Sequence, residues 1–288
     1  MPHWPPACYA AGMKWAAWLA ALLLTPTISL AASSVQNPFT DFWTFLFENR
    51  LFLYQSPNEQ GYVLRIRPIL PARLNKKWTL ISVPIFRIGT LPKKEPNGYV
   101  DRFAGFGDLD YGALLTTNDE NRLKLALGPW VTAPTGSNPT LSLGRWLAGP
   151  ALGAAYFDSD WLASVLFVQE WPISGAVSGA EKPATSLFTA YSMFTRNLSD
   201  GWQIGTTPEL FVFWDAPSGN KVLFPAGLGA GKTFVRGGEL LNIFLEAKYY
   251  WVRPEAYSAT WLIELRFRFG FQRPGSSIPV TKGAPGEP

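Results

Sequence analysis

Trp261-Leu262-Ile263-Glu264-Leu265-Arg266-Phe267-Arg268-Phe269-Gly270-Phe271 decides the fold. Counted from Tyr257, the odd positions read Tyr, Ala, Trp, Ile, Leu, Phe, Phe, Phe. The even positions from Ser258 to Gln272 read Ser, Thr, Leu, Glu, Arg, Arg, Gly, Gln. Side chains of a strand alternate between its faces, so one face is apolar and aromatic and the other carries the charges. Two environments suit that pattern. One is a strand with its apolar face on a soluble core. The other is a strand of a transmembrane β-barrel, apolar towards lipid and polar towards the lumen, with aromatics near the ends of the lipid face.

Composition narrows the choice. The chain of 288 residues is 15% aromatic and only 16% charged, with 25 Pro and 26 Gly. That is rich in strand and turn formers and too aromatic for disorder. Its mean hydropathy is close to zero, +0.04, as a barrel alternating lipid-facing and lumen-facing residues produces and a helical membrane protein does not.

Residues 1–31 read as a secretory signal peptide, with Met13 as the start. Lys14 supplies the positive region, Trp15 to Leu24 a ten-residue apolar run, and Ser29-Leu30-Ala31 the small residues of a cleavage site. The run is too short to span a bilayer as a helix; an N-terminal membrane anchor is the alternative. The only Cys, Cys8, and the only His, His3, lie in this leader. The mature chain then has no thiol or imidazole, which excludes Cys–His and Ser–His–Asp catalysis and His- or Cys-ligated metal. No cofactor or metal is expected. Losing Lys14 leaves 24 basic residues against 21 acidic, too mild a surplus to argue for nucleic acid.

Asn37-Pro38 precedes Phe39–Phe47, where apolar residues recur at helical and strand spacings alike. Residues 32–48 are expected as a short amphipathic helix at the membrane interface or packed into the barrel mouth, a periplasmic or plug segment. The alternative is a first strand that starts early. From Asn49 one unit repeats, an alternating run followed by a Pro/Gly/Asn/Asp/Ser cluster. Twelve runs can be counted, at about residues 49–54, 61–72, 78–87, 106–115, 122–132, 146–157, 161–171, 186–197, 202–215, 221–233, 239–252 and 258–271. Tight turns at Asn75–Lys77, Asp158–Asp160 and Ser199–Gly201 alternate with longer loops at 89–105, 133–145 and 172–185. Short turns at one rim and long loops at the other are the layout of bacterial outer-membrane barrels.

The run from Trp202 gives a dimension. Trp202 and Trp214 share a face twelve residues apart, about 40 Å at roughly 3.3 Å per residue. Tilted about 45°, that projects to roughly 28 Å, close to the apolar band of about 25 Å between aromatic girdles. The run from Glu239 agrees, with Leu241, Ile243, Leu245, Ala247, Tyr249 and Trp251 on one face and Asn242, Glu246 and Lys248 on the other. The runs at Trp78, Trp161 and Ser186 alternate poorly and their faces stay unassigned.

Several segments, in order, resemble bacterial outer-membrane proteins of the meta-pathway phenol-degradation family, some of which carry the label "neuromedin U". They are Asn37–Trp43, Arg67-Pro68-Ile69-Leu70-Pro71, Gly105–Asp110, Gly128-Pro129-Trp130, Gly149-Pro150-Ala151, Ser199–Trp202 and Tyr249–Pro254. The likeness covers about residues 37–271. It implies an outer-membrane β-barrel with a transport role in a Gram-negative bacterium, without established catalytic or binding residues. One departure is the tail. Such barrels end on the aromatic of the last strand, which the assembly machinery reads, whereas Gln272–Pro288 runs on.

Two motifs invite other readings. Ala226-Gly227-Leu228-Gly229-Ala230-Gly231-Lys232-Thr233 satisfies a relaxed phosphate-loop pattern, but the alternating run continues through it and no helix follows. A strand with small residues on its lumen face is the plainer account. Asp108 and Asp110 fall on one face and could pair around a cation; polar lumen residues near the rim are again plainer.

The expected protein is therefore all-β: an antiparallel transmembrane β-barrel of about twelve strands over residues 49–271, with a flexible tail at 272–288. The charged lumen set by parity is Arg65, Arg67, Arg122, Lys124, Lys248, Arg266 and Arg268 against Asp108, Asp110, Glu209, Glu246 and Glu264. Its positive excess favours anions, unless the charges pair across strands and close the pore. The aromatic girdle is Trp202, Trp214, Tyr249, Trp251, Tyr257, Trp261 and Phe271. The expected function is passive passage of small solutes, hydrophobic or aromatic ones included by resemblance. A non-transporting structural or adhesive barrel is the alternative, and a barrel enzyme is disfavoured by the missing His. Expected partners are outer-membrane lipids and lipopolysaccharide, the barrel-assembly machinery and an unidentified small solute, with no nucleic acid.

Overall fold

In the computed structural model the described residues are 39, 42–55, 59–94, 100–118, 121–138, 140–174, 186–236, 239–254 and 259–272. The signal peptide, Tyr257 and the tail beyond Gln272 lie outside them. Fourteen strand segments follow one another: β1 (Phe42–Tyr54), β2 (Gly61–Arg73), β3 (Trp78–Lys94), β4 (Val100–Phe106), β5 (Leu109–Thr117), β6 (Leu123–Ala133), β7 (Leu147–Phe157), β8 (Trp161–Pro172), β9 (Leu187–Asn197), β10 (Trp202–Thr206), β11 (Glu209–Phe213), β12 (Val222–Arg236), β13 (Glu239–Val252) and β14 (Ala259–Gln272).

These segments make twelve staves. β4 and β5 lie end to end along β3, β4 on its outer half from Ile88 and β5 on its inner half from Trp78 to Ile85. β10 and β11 likewise share one position between β9 and β12. Both breaks have a local cause. At the first, Gly105 adopts φ +156°, a conformation natural to glycine, and the Gly107 amide donates to Arg87 O at 2.9 Å. At the second, Pro208 has no N–H for the ladder, and the Thr207 amide donates instead to Glu246 Oε1 at 2.7 Å. Every neighbouring pair is antiparallel, and β1 pairs with β14 from Phe42 opposite Gln272 to Tyr54 opposite Ala259, which closes the barrel.

β1 corrects the expectation over residues 42–48; the rest of the expected periplasmic or plug segment, Phe39 apart, lies outside the described residues. Phe42–Phe47 are strand, not an interfacial helix, and the barrel begins at Phe42 rather than Asn49. A helix there would leave the edges of β2 and β14 unpaired, which a bilayer does not tolerate. Thr44, Leu46, Glu48, Arg50 and Phe52 face inward, while Trp43, Phe45, Phe47, Leu51 and Leu53 face outward. Asn49, on the outer face, donates to Leu265 O at 3.2 Å and accepts from the Tyr62 hydroxyl at 2.8 Å, which satisfies its amide there.

One rim carries the tight turns. Asn75 Oδ1 accepts from the amides of Lys77 (2.8 Å) and Trp78 (3.0 Å). Asp158 does the same for Asp160 (2.9 Å) and Trp161 (2.7 Å). Asp200 and Gly201 take positive φ. Asn and Asp side chains that copy a backbone turn are a standard means of reversing the chain in few residues. The long connections collect at the opposite rim.

The outer face is apolar and ends in aromatic belts. Trp43, Trp78, Trp161 and Trp202 stand at the turn rim, and Tyr62, Trp171, Trp214, Trp251 and Trp261 near the loop rim, all exposed. The inner face divides in two. On β1, β2, β11, β13 and β14 it carries charge. On β3, β5, β6, β7 and β8 its middle is apolar, with Ile81, Val83, Ile85, Leu114, Ala126, Trp130, Ala151, Ala155 and Val168 in one buried cluster with Phe39 and Ile69, and the buried ions Asp110, Lys124 and Glu170 stand towards the strand ends. That division explains the runs at Trp78 and Trp161. Thr79, Ile81, Val83 and Ile85 point inward from β3, and Leu162, Ser164 and Val168 from β8. Both faces of these strands are apolar, so no alternation shows.

Candidate functional site

The lumen is the site, and the register of the strands builds its charged half. Glu48 on β1 stands opposite Arg65 of β2 and Arg266 of β14. Arg50 stands opposite Glu264. Leu46 stands between Arg67 and Arg268. Arg65 Nη2 donates to Glu48 Oε1 at 3.0 Å and to Glu209 Oε1 at 2.6 Å, and Arg65 Nε also donates to Glu48. Arg67 Nη2 reaches Glu48 Oε2 at 3.0 Å. Arg50 links Glu209 (2.7 Å) to Glu264 (3.1 Å), and Arg266 links Glu246 (2.9 Å) to Glu264 (3.2 Å). Lys248 lies 3.4 Å from Glu264 and 3.7 Å from Glu246. Glu246, Lys248 and Glu264 are 0% exposed. Buried charges persist only when they are paired, and this network pairs them by spanning five staves.

Tyr191 of β9 joins the two halves of the lumen. Its ring lies 5.4 Å from the Arg67 guanidinium carbon and 6.0 Å from that of Arg65. It also lies 6.4 Å from the rings of Trp130 and Phe211. Phe39 packs into the apolar half, and a Cβ added at Gly153 of β7 would run into its ring. Between the halves is a cavity of about 90 Å³, lined by Glu48, Arg65, Arg67, Glu209, Arg266 and Arg268 on one side. Phe39, Ile69, Val83, Leu114, Leu166 and Met193 line the other.

The remaining sequence candidates disperse. Asp110 pairs with Arg87 and accepts from Thr132 Oγ1 at 3.1 Å, near the loop rim. Asp108 does not share its surroundings. Its carboxylate accepts from the Gly136 amide (3.0 Å), the Ser142 hydroxyl (2.7 Å) and the Leu143 amide (2.6 Å), so it holds the loop between β6 and β7. Both are buried, and no metal-binding group of acids occurs among the described residues. Lys124 is buried and donates to Thr117 O at 3.3 Å, close to the turn rim. Arg122 corrects its assignment. Its parity is that of the lumen, but it precedes Leu123, where β6 begins, and lies exposed in the turn. Of the girdle residues, Trp202, Trp214, Trp251, Trp261 and Phe271 are exposed on the outer face, and Tyr249 is half-buried beside Trp251 and Trp261.

The Gly-rich motif lies wholly within β12. Gly227, Gly229 and Gly231 press on the backbone of β13 and on the Phe244 ring, leaving no room for a Cβ. Lys232 points outward, 5.2 Å from the Trp202 ring at the turn rim, where a lysine carries its charge to the interface. Nothing there cradles a phosphate. Glu48, Arg50 and Phe39 were missed by sequence reasoning because the first strand was started too late. The alternation Thr44, Leu46, Glu48, Arg50, Phe52 against Trp43, Phe45, Phe47 is the signal that finds the first two.

A closed antiparallel wall, lipid-facing outside and ionic inside, with its tight turns at one rim, defines the class: an outer-membrane β-barrel of porin-like fold. The chain is similar to an outer membrane channel from Pseudomonas putida F1, with a TM-score of 0.59 and 16% identity over 80% of this chain and 95% of that one. More loosely similar are the NanC porin (TM-score 0.49, 8% identity, 80% and 100% covered) and a Pseudomonas aeruginosa FadL homologue (0.42, 8%, 86% and 95%). No curated protein matches the sequence. Residues 62–205 match the family described as "Putative MetA-pathway of phenol degradation". That is half of the chain, and the chain belongs to that family.

Proposed function

We propose that the protein is a passive outer-membrane channel for small solutes that prefers anions. The observation that carries this is the charge count of the ionic half of the inner wall, on β1, β2, β11, β13 and β14. Among the described residues Arg50, Arg65, Arg67, Lys248, Arg266 and Arg268 surround four carboxylates, Glu48, Glu209, Glu246 and Glu264. Inside a low-dielectric wall two surplus positive charges draw anions and repel cations. The apolar half of the lumen gives solutes with a hydrophobic or aromatic part a surface of their own. Seated between its aromatic belts, the barrel has the lipids of the outer membrane as its partner, and the assembly machinery that builds such barrels would insert it.

A second reading is a structural barrel that does not conduct, and the dense pairing of the lumen favours it. The cavity of about 90 Å³ is well below the roughly 300–1,000 Å³ of sites that hold drug-sized molecules. Planar-bilayer recording of the refolded mature protein separates the two. The channel reading expects discrete steps with anion selectivity, reduced in Arg268→Glu. Silence in the bilayer, together with no solute uptake by proteoliposomes, would refute it.

A further inference from the structure

On its outer face the belt at the turn rim carries positive charge in one sector. Trp161 on β8 is the register partner of Arg196 on β9, and Trp202 on β10 is the register partner of Lys232 on β12. These four staves are neighbours, so indole, guanidinium, indole and ammonium alternate along the wall. The Arg196 guanidinium carbon lies 5.4 Å from the Trp161 ring. Lys232 Nζ lies 5.2 Å from the Trp202 ring and 5.6 Å from that of Phe234. The glycines before Lys232 form no phosphate loop, and its side chain leaves them on the lipid side. Among the described side chains no other strand turns a cation outward at this rim. Arg73 and Lys124 have lumen parity, and Lys76, Lys77 and Arg122 lie in the turns. No carboxylate among the described residues pairs with Arg196 or Lys232. Asp158, Asp160 and Asp200 sit in the turns beyond the belt, and Glu239 starts β13 two outward positions beyond Ile243, the register partner of Lys232. On the membrane side of the two cations the wall is apolar and exposed, with Phe194, Ile204 and Leu228.

We infer that this sector is a binding site for an anionic phospholipid, with the phosphate between Arg196 and Lys232 and the acyl chains on Phe194, Ile204 and Leu228. Tight turns mark the periplasmic rim of such barrels. The leaflet at that height is phospholipid, and lipopolysaccharide occupies the leaflet at the loop rim. An indole face holds a cation through its ring quadrupole without cancelling the charge, so both cations stay available to an anion. A guanidinium offers a phosphate two parallel donors, and an ammonium adds a point charge. The strands of the two cations are two stave spacings apart, about 10 Å at roughly 4.8 Å each, a gap that side chains of this length close onto one headgroup. Charge alone would suit inorganic phosphate, and an apolar wall alone would suit any lipid. Cations at girdle height with apolar wall behind them select an amphiphile with a net negative head. The site lies outside the lumen and stands whether or not the barrel conducts.

The test is native mass spectrometry of the full mature chain in detergent, titrated with dioleoyl phosphatidylglycerol or with the phosphatidylcholine of the same chains, so that acyl contacts cancel. Expected is saturable retention of phosphatidylglycerol, about tenfold or more tighter than phosphatidylcholine. Arg196→Gln and Lys232→Gln should each weaken it about fivefold, and the double variant should bring it to the level of phosphatidylcholine. Lys77→Gln removes an exposed lysine in another turn of the same rim and should leave retention unchanged. Inorganic phosphate at equal concentration should not displace the lipid. Heat-modifiable gel mobility reports that each variant is folded; if the double variant is not, the two single variants decide by the same criteria. Retention of the two lipids within threefold of each other, an undiminished preference in the double variant, an equal loss in Lys77→Gln, or displacement by inorganic phosphate would overturn the site.

Discussion

Replacing Glu48 by Gln tests whether the inner network is as dry as its burial suggests. Glu48 is 2% exposed, and it accepts from both Arg65, also 2% exposed, and Arg67. At 3.0 Å and an effective dielectric of about 20, each contact carries roughly 5 kcal/mol of attraction, most of it offset by desolvation. The neutral amide keeps the shape but leaves Arg65 with Glu209 alone and takes from Arg67 the carboxylate it bonds. Removing one member of a buried ion pair costs about 3–5 kcal/mol, and that is the expected loss for Glu48→Gln. The assay is urea unfolding in lipid vesicles, followed by tryptophan fluorescence and by heat-modifiable mobility. A cycle with Arg65→Met adds a control, because the double variant should lose less than the two single losses together by about 0.5–3 kcal/mol. A loss below about 1 kcal/mol, the worth of an exposed pair, would refute the reasoning. It would mean that water reaches Glu48, and the case for a low-dielectric, anion-drawing wall would fall with it.

Other outcomes follow from single contacts. Phe39→Ala removes the ring that lies over Gly153 and should raise single-channel conductance; unchanged steps would show that the ring does not narrow the path. Asp108→Ala frees the loop between β6 and β7 from three hydrogen bonds, so limited proteolysis should cut at residues 134–146 while the barrel keeps its heat-modifiable mobility. In the turn before β8, the amides of Trp161 and Asp160 and the Tyr156 hydroxyl hold the Asp158 carboxyl below the usual carboxylate range. Its folded pKa is depressed, so its contribution is complete above the unfolded value and is lost as pH falls through the folded one. The Trp161 amide resonance should therefore titrate below the midpoint of a free aspartate, and a midpoint at the ordinary value would contradict the turn geometry.

Much of the barrel was legible because lipid on one side and water on the other impose a period of two. β13 and β14 alternate without a fault, and their inward residues Glu246, Lys248, Glu264, Arg266 and Arg268 could be named from parity alone. Where the inner wall is itself apolar, as at Ile81, Val83 and Ile85, the contrast that reveals a strand's faces vanishes. Phe42–Phe47 failed for a related reason: a run of aromatics fits a helix and a strand equally well, and only the demand for closure decides. Parity also assumes an unbroken strand. It named Asp108, which sits past the break after Phe106 and serves a loop, and Arg122, which precedes its strand. The ion network across five staves had no local signature, because it depends on registers fixed by distant chain.

The seam between β1 and β14 bears on assembly. Its two edges lie at opposite ends of the chain, and the Asn49 to Leu265 hydrogen bond spans 216 residues. No partial chain can form it, so joining is the last event of folding and must find its alignment without help from a turn. A one-residue error turns the apolar side of β14 into the lumen. A two-residue error keeps the faces but is caught by charge. In the native alignment Glu48 meets Arg266 and Arg50 meets Glu264; shifted two residues one way, Glu48 meets Glu264, and shifted the other way, Arg50 meets Arg266. The ions that line the passage thus also act as a combination lock, admitting the last strand in one alignment only.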